Sequence, residues 1–160
     1  MDLRNAFEPP VPAVVLAEGA FGRPAGKTAN GVVMHSELFD ARAVIDSETA
    51  GQSPSEVLRR PDAPEIPIVE SVSDALATAP EAEALVIGVA PAGGELPESW
   101  VDGIEGAIRA GCDVVSGLHT FLGDEAHWSE LAADNDARIF DVRKPPEGDA
   151  LRVGDAPSTR

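Results

Sequence analysis

Chemistry in this chain falls to a few short stretches in which glycine, small hydroxyls, one histidine and charged groups replace apolar residues. The longest is Gly19-Ala20-Phe21-Gly22-Arg23-Pro24-Ala25-Gly26-Lys27-Thr28. Its part from Gly22 onward is similar to the phosphate-cradling loop G-x-x-x-x-G-K-[ST] but one residue short of it, and it does not match G-x-G-x-x-G. Free backbone N–H groups at a helix start, the helix dipole and Lys27 would still attract phosphate or carboxylate. The alternative is a flexible turn in which Thr28 caps its own helix. Asp46-Ser47 follows 20 residues after Gly26. An acid there accepts from ribose hydroxyls in dinucleotide sites, or else binds the N–H groups of its own turn. Gly93-Gly94 permits close approach of a ligand, or simply a turn before a helix. Ser116-Gly117-Leu118-His119 holds the best catalytic candidate. His119 would act as a general base near neutral pH or orient a carbonyl; otherwise it is a hydrogen-bonded loop histidine. The candidate binding residues are thus Gly19, Gly22, Gly26, Lys27, Thr28, Asp46, Ser47, Gly93, Gly94, Ser116 and His119.

The other reactive side chains have plainer readings. His119, Asp124 and His127 straddle a loop–helix junction at a spacing that matches no metal-ligand pattern, so no metal is expected. His35 complements a helix C-terminus, and Cys112 packs as a small hydrophobe. Trp100 and Trp128 fit a helix–sheet core better than a stacking platform. No Ser-His-Asp nucleophile elbow is present.

Each candidate loop comes directly after a short apolar run, which is what must position it. Residues 13–17, 41–45, 66–69, 84–90, 113–116 and 137–141 read as strands. Helical patterns separate them. The first should end near His35-Ser36. The second opens with Ser53 as N-cap, Pro54 at the first position and Glu56 reaching back. The third starts at Ser71-Val72-Ser73-Asp74, and the fourth runs from about Pro97 to a stop at Gly111. Asp124 can cap the fifth. Alternation of this kind predicts an α/β, three-layer Rossmann-like fold: about six mostly parallel strands with helices on both faces. Right-handed crossovers and an edge-type third strand containing Pro67 give the order 3-2-1-4-5-6. In such a sheet a ligand lies outside the carboxyl ends of the strands where the order reverses, and all the candidate loops converge there. Residues 1–12 read as an extended lead-in, 13–146 as the domain and 147–160 as a tail or the start of a linker.

Composition sets the outer limits. A chain of 160 residues, 43% hydrophobic, suits one domain with a proper core. The 28 acidic residues outnumber the 12 basic ones, giving a net charge of -16. The acids are spread along the chain, a pattern suited to hydration in high salt, so a halophilic source is expected. Nucleic acid is an unsuitable partner, because its phosphates need a basic footprint. No apolar run approaches the roughly 20 residues of a membrane span, and the start of the chain lacks the features of a secretory signal. One cysteine excludes an internal disulfide. A cytoplasmic location is the resulting expectation.

Six pieces of the sequence occur in a telling order. They are Lys27-Thr28-Ala29, Ala43-Val44-Ile45-Asp46-Ser47, Ile87-Gly88-Val89-Ala90, Gly94-Glu95-Leu96-Pro97 with Trp100, Ser116-Gly117-Leu118-His119, and Asp141-Val142-Arg143-Lys144-Pro145-Pro146. Together they resemble the N-terminal Rossmann-like domain of the D-glutamate N-acetyltransferase-like family, long catalogued as a domain of unknown function. The resemblance implies a P-loop nucleotide-binding domain following this one, and acetylation of D-glutamate with acetyl-CoA as donor. Ile66-Pro67-Ile68-Val69-Glu70-Ser71-Val72 and the units after it are also similar to CoA-binding domains of acyl-CoA ligases. The resemblance thus implies a ligand-binding front domain, holding a nucleotide, CoA or acidic amino acid at the strand ends. The chain alone would be inactive and would form an N-acyltransferase only with the P-loop domain, in cis or in trans. The alternatives are a non-catalytic domain that docks a P-loop partner and, third, an NAD-linked oxidoreductase domain; a homo-oligomer is compatible with each.

Overall fold

The computed structural model describes residues 10–22, 27–35, 38–89, 98–116, 122 and 125–141. Six parallel strands form one sheet: β1 (Val11–Leu16), β2 (Phe39–Ile45), β3 (Ile68–Val69), β4 (Ala84–Ile87), β5 (Asp113–Ser116) and β6 (Ile139–Asp141), in the order β3-β2-β1-β4-β5-β6. The expected Rossmann-like architecture and strand order are those observed. Between the strands lie α1 (Lys27–His35), α2 (Pro54–Leu58), α3 (Val72–Thr78), α4 (Glu98–Arg109) and α5 (Ala126–Asp134).

The sheet is apolar on both faces, which is why its strands read as continuous hydrophobic runs. On one face Val15, Val44 and Ile68 pack against Ala29 and Val33 of α1 and Val57 of α2. On the other, Leu16, Ile45, Leu85 and Val114 meet Val72 of α3, Ile104 and Ile108 of α4 and Trp128 of α5. Each fully buried Val, Leu or Ile contributes about 1.5–3 kcal/mol, so these two layers hold the strand ends in place.

Several boundaries differ from the sequence expectation for identifiable reasons. β1 begins at Val11 and takes in Pro12, within the stretch read as a lead-in. Pro12 pairs only with Asp40 of β2, one residue before β4 joins at Ala13, and its carbonyl accepts from the Glu83 N–H (2.8 Å). A proline is tolerated where no ladder donor is required. β3 is cut to two residues, since Pro67 immediately before it has a carbonyl to offer (to the Val44 N–H, 3.0 Å) and no N–H. Its outward carbonyl at Ile68 accepts from Gly51 N–H at 3.1 Å, which blunts the sheet edge. α2 forms the expected capping box between Ser53 and Glu56 and stops at Arg59, which adopts a left-handed conformation at φ 55°. α5 starts one residue later than an Asp124 cap requires: Glu125 holds the N-cap position and makes no side-chain cap bond.

Candidate functional site

The loop after β1 is drawn onto its neighbours by two glycines. Gly19 (φ 75°) donates its N–H to Asp46 Oδ1 at 3.0 Å, and Gly22 (φ 82°) donates to Asn30 Oδ1 of α1 at 2.9 Å. A Cβ at Gly22 would meet Val57 Cγ1 at 2.6 Å. Left-handed backbone and close approach both require glycine there. Phe21 between them is buried in the α1–α2 layer. These two N–H groups are therefore donated within the protein.

Asp46 is 1% exposed at the end of β2. Its Oδ1 accepts from the N–H groups of Gly19 and Glu48 (3.1 Å), and its Oδ2 from the Thr49 hydroxyl (2.7 Å). It joins the end of β1 to the turn after β2. The next residue, Ser47, is exposed and donates both its N–H (2.8 Å) and its hydroxyl to the carboxylate of Glu18. Glu18 thus reaches across from the end of β1 to the end of β2.

A cleft of ≈ 390 Å³ opens beside this pair. Leu16, Ile45, Val72 and Trp100 supply its apolar surface. Glu18, Ser47, Glu70, Ser71, Ser73 and Asp102 supply its polar groups. Leu16 and Ile45 are the last residues of β1 and β2, so the cleft sits at the carboxyl edge of the sheet. Ser71 caps α3, accepting from the Asp74 N–H at 3.1 Å. Trp100, in the first turn of α4, is 8% exposed and belongs to the core as well as to the cleft. At the back, Gly103 lets α4 approach α3: a Cβ there would stand 2.7 Å from Val72 Cγ2.

Not every candidate residue reaches this place. Ser47 lines it, and Gly19 and Asp46, bonded to each other, are the chain neighbours of its lining residues Glu18 and Ser47. Ser116 ends β5, fully buried, in register with Ile87 and Asp141. Asp141 accepts the Leu122 N–H at 2.9 Å, which ties the segment after β5 to the end of β6. Lys27 and Thr28 begin α1, but their side chains, with Gly26, Gly93, Gly94 and His119, lie outside the described residues. Asp124 lies outside them too. His127 bonds to Glu105 of α4 at 2.6 Å and is 58% exposed. Cys112, just ahead of β5 at the opposite edge of the sheet, is 2% exposed and directs its Sγ to the Ala82 carbonyl (3.5 Å). Burial, with Asp113 and Glu83 adding to it, raises its thiol above the ordinary value of 9.0.

Sequence reasoning did not single out Glu18, Glu70, Ser71, Ser73, Trp100, Asp102 or Gly103 as cleft residues. A signal existed for Glu18, a carboxylate directly before a strand-end glycine. For the others there was little: Ser71 and Ser73 read as a helix start, Trp100 as core, and both readings are also true of the structure.

Fold and cleft together define a Rossmann-like α/β domain with a strand-end pocket. Residues 47–145 match the family described as a domain of unknown function (DUF1611_N), Rossmann-like domain, and the chain belongs to that family. It is related to D-glutamate N-acetyltransferases. It is 39% identical to that of Tritonibacter scottomollicae over 69 residues, which covers 43% of this chain and 21% of the relative. With the enzyme of a Pseudoalteromonas species it shares 34% over 73 residues, 46% of this chain and 22% of the relative. The matched stretch is therefore about a fifth of each relative's length. Among solved structures, a DUF1611 family protein from Anabaena variabilis superposes with a TM-score of 0.76 at 33% identity, covering 86% of this chain and 38% of that one. A 3-ketoreductase from Actinomadura kijaniata, solved with TDP-benzene and NADP, gives 0.53 at 16% identity over 82% of this chain and 38% of its own; that likeness is one of fold alone. Among the described residues no helix is long and apolar enough to cross a membrane.

Proposed function

We propose that this domain is the ligand-binding front part of a D-glutamate N-acetyltransferase-like protein. It would hold part of a nucleotide, of acetyl-CoA or of an acidic amino acid at the carboxyl edge of its sheet. A P-loop domain, in cis or in trans, would complete the N-acyltransferase, and the domain alone would be inactive. The observation that carries this reading is the cleft at the ends of β1 and β2. Its volume of ≈ 390 Å³ falls within the range of small-molecule sites, about 300–1,000 Å³, and its apolar floor with a few placed polar groups has their composition. The relationship to D-glutamate N-acetyltransferases supplies the chemistry. A cytoplasmic location and work in concentrated salt go with the acidic chain, whose described residues hold no membrane-spanning helix.

Titration calorimetry of the chain in molar salt against acetyl-CoA, ATP and D-glutamate tests the reading. Saturable heat from at least one is expected. Silence from all three, with the protein folded, would overturn it. The NAD-linked alternative draws less support, because the loop after β1 does not match G-x-G-x-x-G.

A further inference from the structure

We infer that the strand-end cleft receives the uncharged nucleoside portion of a ligand, with Glu18 accepting from the ribose hydroxyls and the base lying against the apolar floor. The inference rests on the ligand-binding reading above and narrows it to one chemical class.

The polar residues of the cleft are three carboxylic acids (Glu18, Glu70, Asp102) and three serines (Ser47, Ser71, Ser73). Among the described residues no Lys, Arg or His lines it. A phosphate or a second carboxylate entering there meets like charge from all three acids. The described lining, three acids and three serines, therefore suits a group that donates hydrogen bonds and carries no negative charge. This disfavours the phosphates of a nucleotide and the side chain of an acidic amino acid, but not a ribose with its base.

Glu18 is the group built to accept. Its carboxylate is held by the Ser47 N–H at 2.8 Å and by the Ser47 hydroxyl. These bonds use two of the roughly four lone-pair positions of a carboxylate, and the rest can accept from a vicinal diol. The Ser47 hydroxyl, having donated its proton, keeps lone pairs for a second contact. Fixing the carboxylate beforehand lowers the ordering cost of binding. The usual ribose-binding acid of such folds, at the end of the second strand, is spent on Gly19, Glu48 and Thr49. The cleft nonetheless has a carboxylate at that corner, supplied by the end of β1 instead.

Behind the carboxylate, Leu16, Ile45, Val72 and Trp100 form a surface on which a flat heterocycle can be buried. The volume of ≈ 390 Å³ lies at the small end of ligand sites, which fits a nucleoside better than a whole CoA. Pantetheine and phosphates would continue outside it.

Calorimetry with adenosine and with 2′,3′-dideoxyadenosine, in molar salt, tests the assignment on the intact chain and on Glu18→Ala. Adenosine should bind the wild type about tenfold to a hundredfold more tightly than the dideoxy compound, the span expected for hydrogen bonds to a charged acceptor. In Glu18→Ala that ratio should collapse towards one, while dideoxyadenosine binding changes little. A purely structural Glu18 would weaken both nucleosides alike and keep the ratio, which overturns the assignment. So does failure of adenosine to bind wild type that still binds acetyl-CoA, ATP or D-glutamate; the broader reading then survives. Failure of every one of these ligands overturns both.

Discussion

Removing the carboxylate of Asp46 should destabilise the domain by an amount its hydrogen bonds allow us to set. In Asp46→Ala the N–H groups of Gly19 and Glu48 lose their acceptor, and the Thr49 hydroxyl loses its own. An orphaned buried donor costs about 1–3 kcal/mol. Both N–H bonds are only part-buried, so water relieves some of this, and we expect about 2–4 kcal/mol in total. For a chain of this length each kcal/mol lowers the melting temperature by about 2–4 °C, so the drop should be about 4–16 °C. Asp46→Asn is the control. Its amide oxygen can keep both N–H contacts, and its NH2 can donate to a Thr49 hydroxyl that turns to accept. That variant should lose only the charge-assisted part, about 1 kcal/mol. Thermal unfolding followed by circular dichroism, in the same molar salt for all three proteins, is the assay. An Ala variant that melts with the wild type, or an Asn variant as damaged as Ala, refutes the reasoning.

Gly88→Ala should cost about 1–3 kcal/mol, because the new Cβ would stand 2.7 Å from the Cα and Cβ of Ala29 and force α1 off the sheet; an unchanged urea midpoint would count against that packing. At the β5–β6 junction Asp113→Ala should be worse than Arg138→Ala. Asp113 accepts the Arg138 N–H at 2.8 Å as well as its guanidinium, whereas the guanidinium itself is half exposed and contributes about 1 kcal/mol at most; equal losses in urea melts would contradict this. Raising KCl from about 0.1 M to 1 M shortens the screening length from about 10 Å to 3 Å and should raise the melting temperature of a chain carrying -16; a fall would argue against an acidic surface adapted to salt. Cys112 gives a pH dependence of known sign. Its folded thiol holds its proton above the ordinary 9.0, so once the pH passes that value the unfolded chain ionises first and stability falls. With no tyrosine in the chain to titrate alongside it, wild type should lose stability between about pH 8.5 and 10 more steeply than Cys112→Ala; parallel curves would refute this.

The fold was legible because its determinants are local and repeated. Strand runs buried on both faces, a Ser53–Glu56 capping box and a stop at Gly111 (φ 90°) each carry their own physical signature, and alternation converts them into a sheet order. Ends were less legible where tertiary partners decide them. Whether Pro12 can lie in a strand depends on β4 not yet having started beside it, and no window of sequence around Pro12 contains that fact.

The site illustrates the same division more sharply. Position along the chain correctly brought Gly19, Asp46 and Ser47 to one edge of the sheet, since topology alone takes strand ends there. Which of two neighbouring acids faces the cleft is a question of side-chain direction and of competing donors. Asp46 follows the last residue of β2 and turns inward, where Gly19, Glu48 and Thr49 occupy it; Glu18, two residues past the end of β1, turns across to Ser47 and faces the cleft. Both are acids at a strand end beside a turn, and spacing rules favour the first. The donors that claim Asp46, two backbone N–H groups and the Thr49 hydroxyl, come from two separate loops, which converge only after β1 and β2 have paired. Which of the two acids is left to face the cleft is therefore set by what the turn has already consumed, and exchanging Glu18 tests the proposed ligand contact where exchanging Asp46 tests the turn.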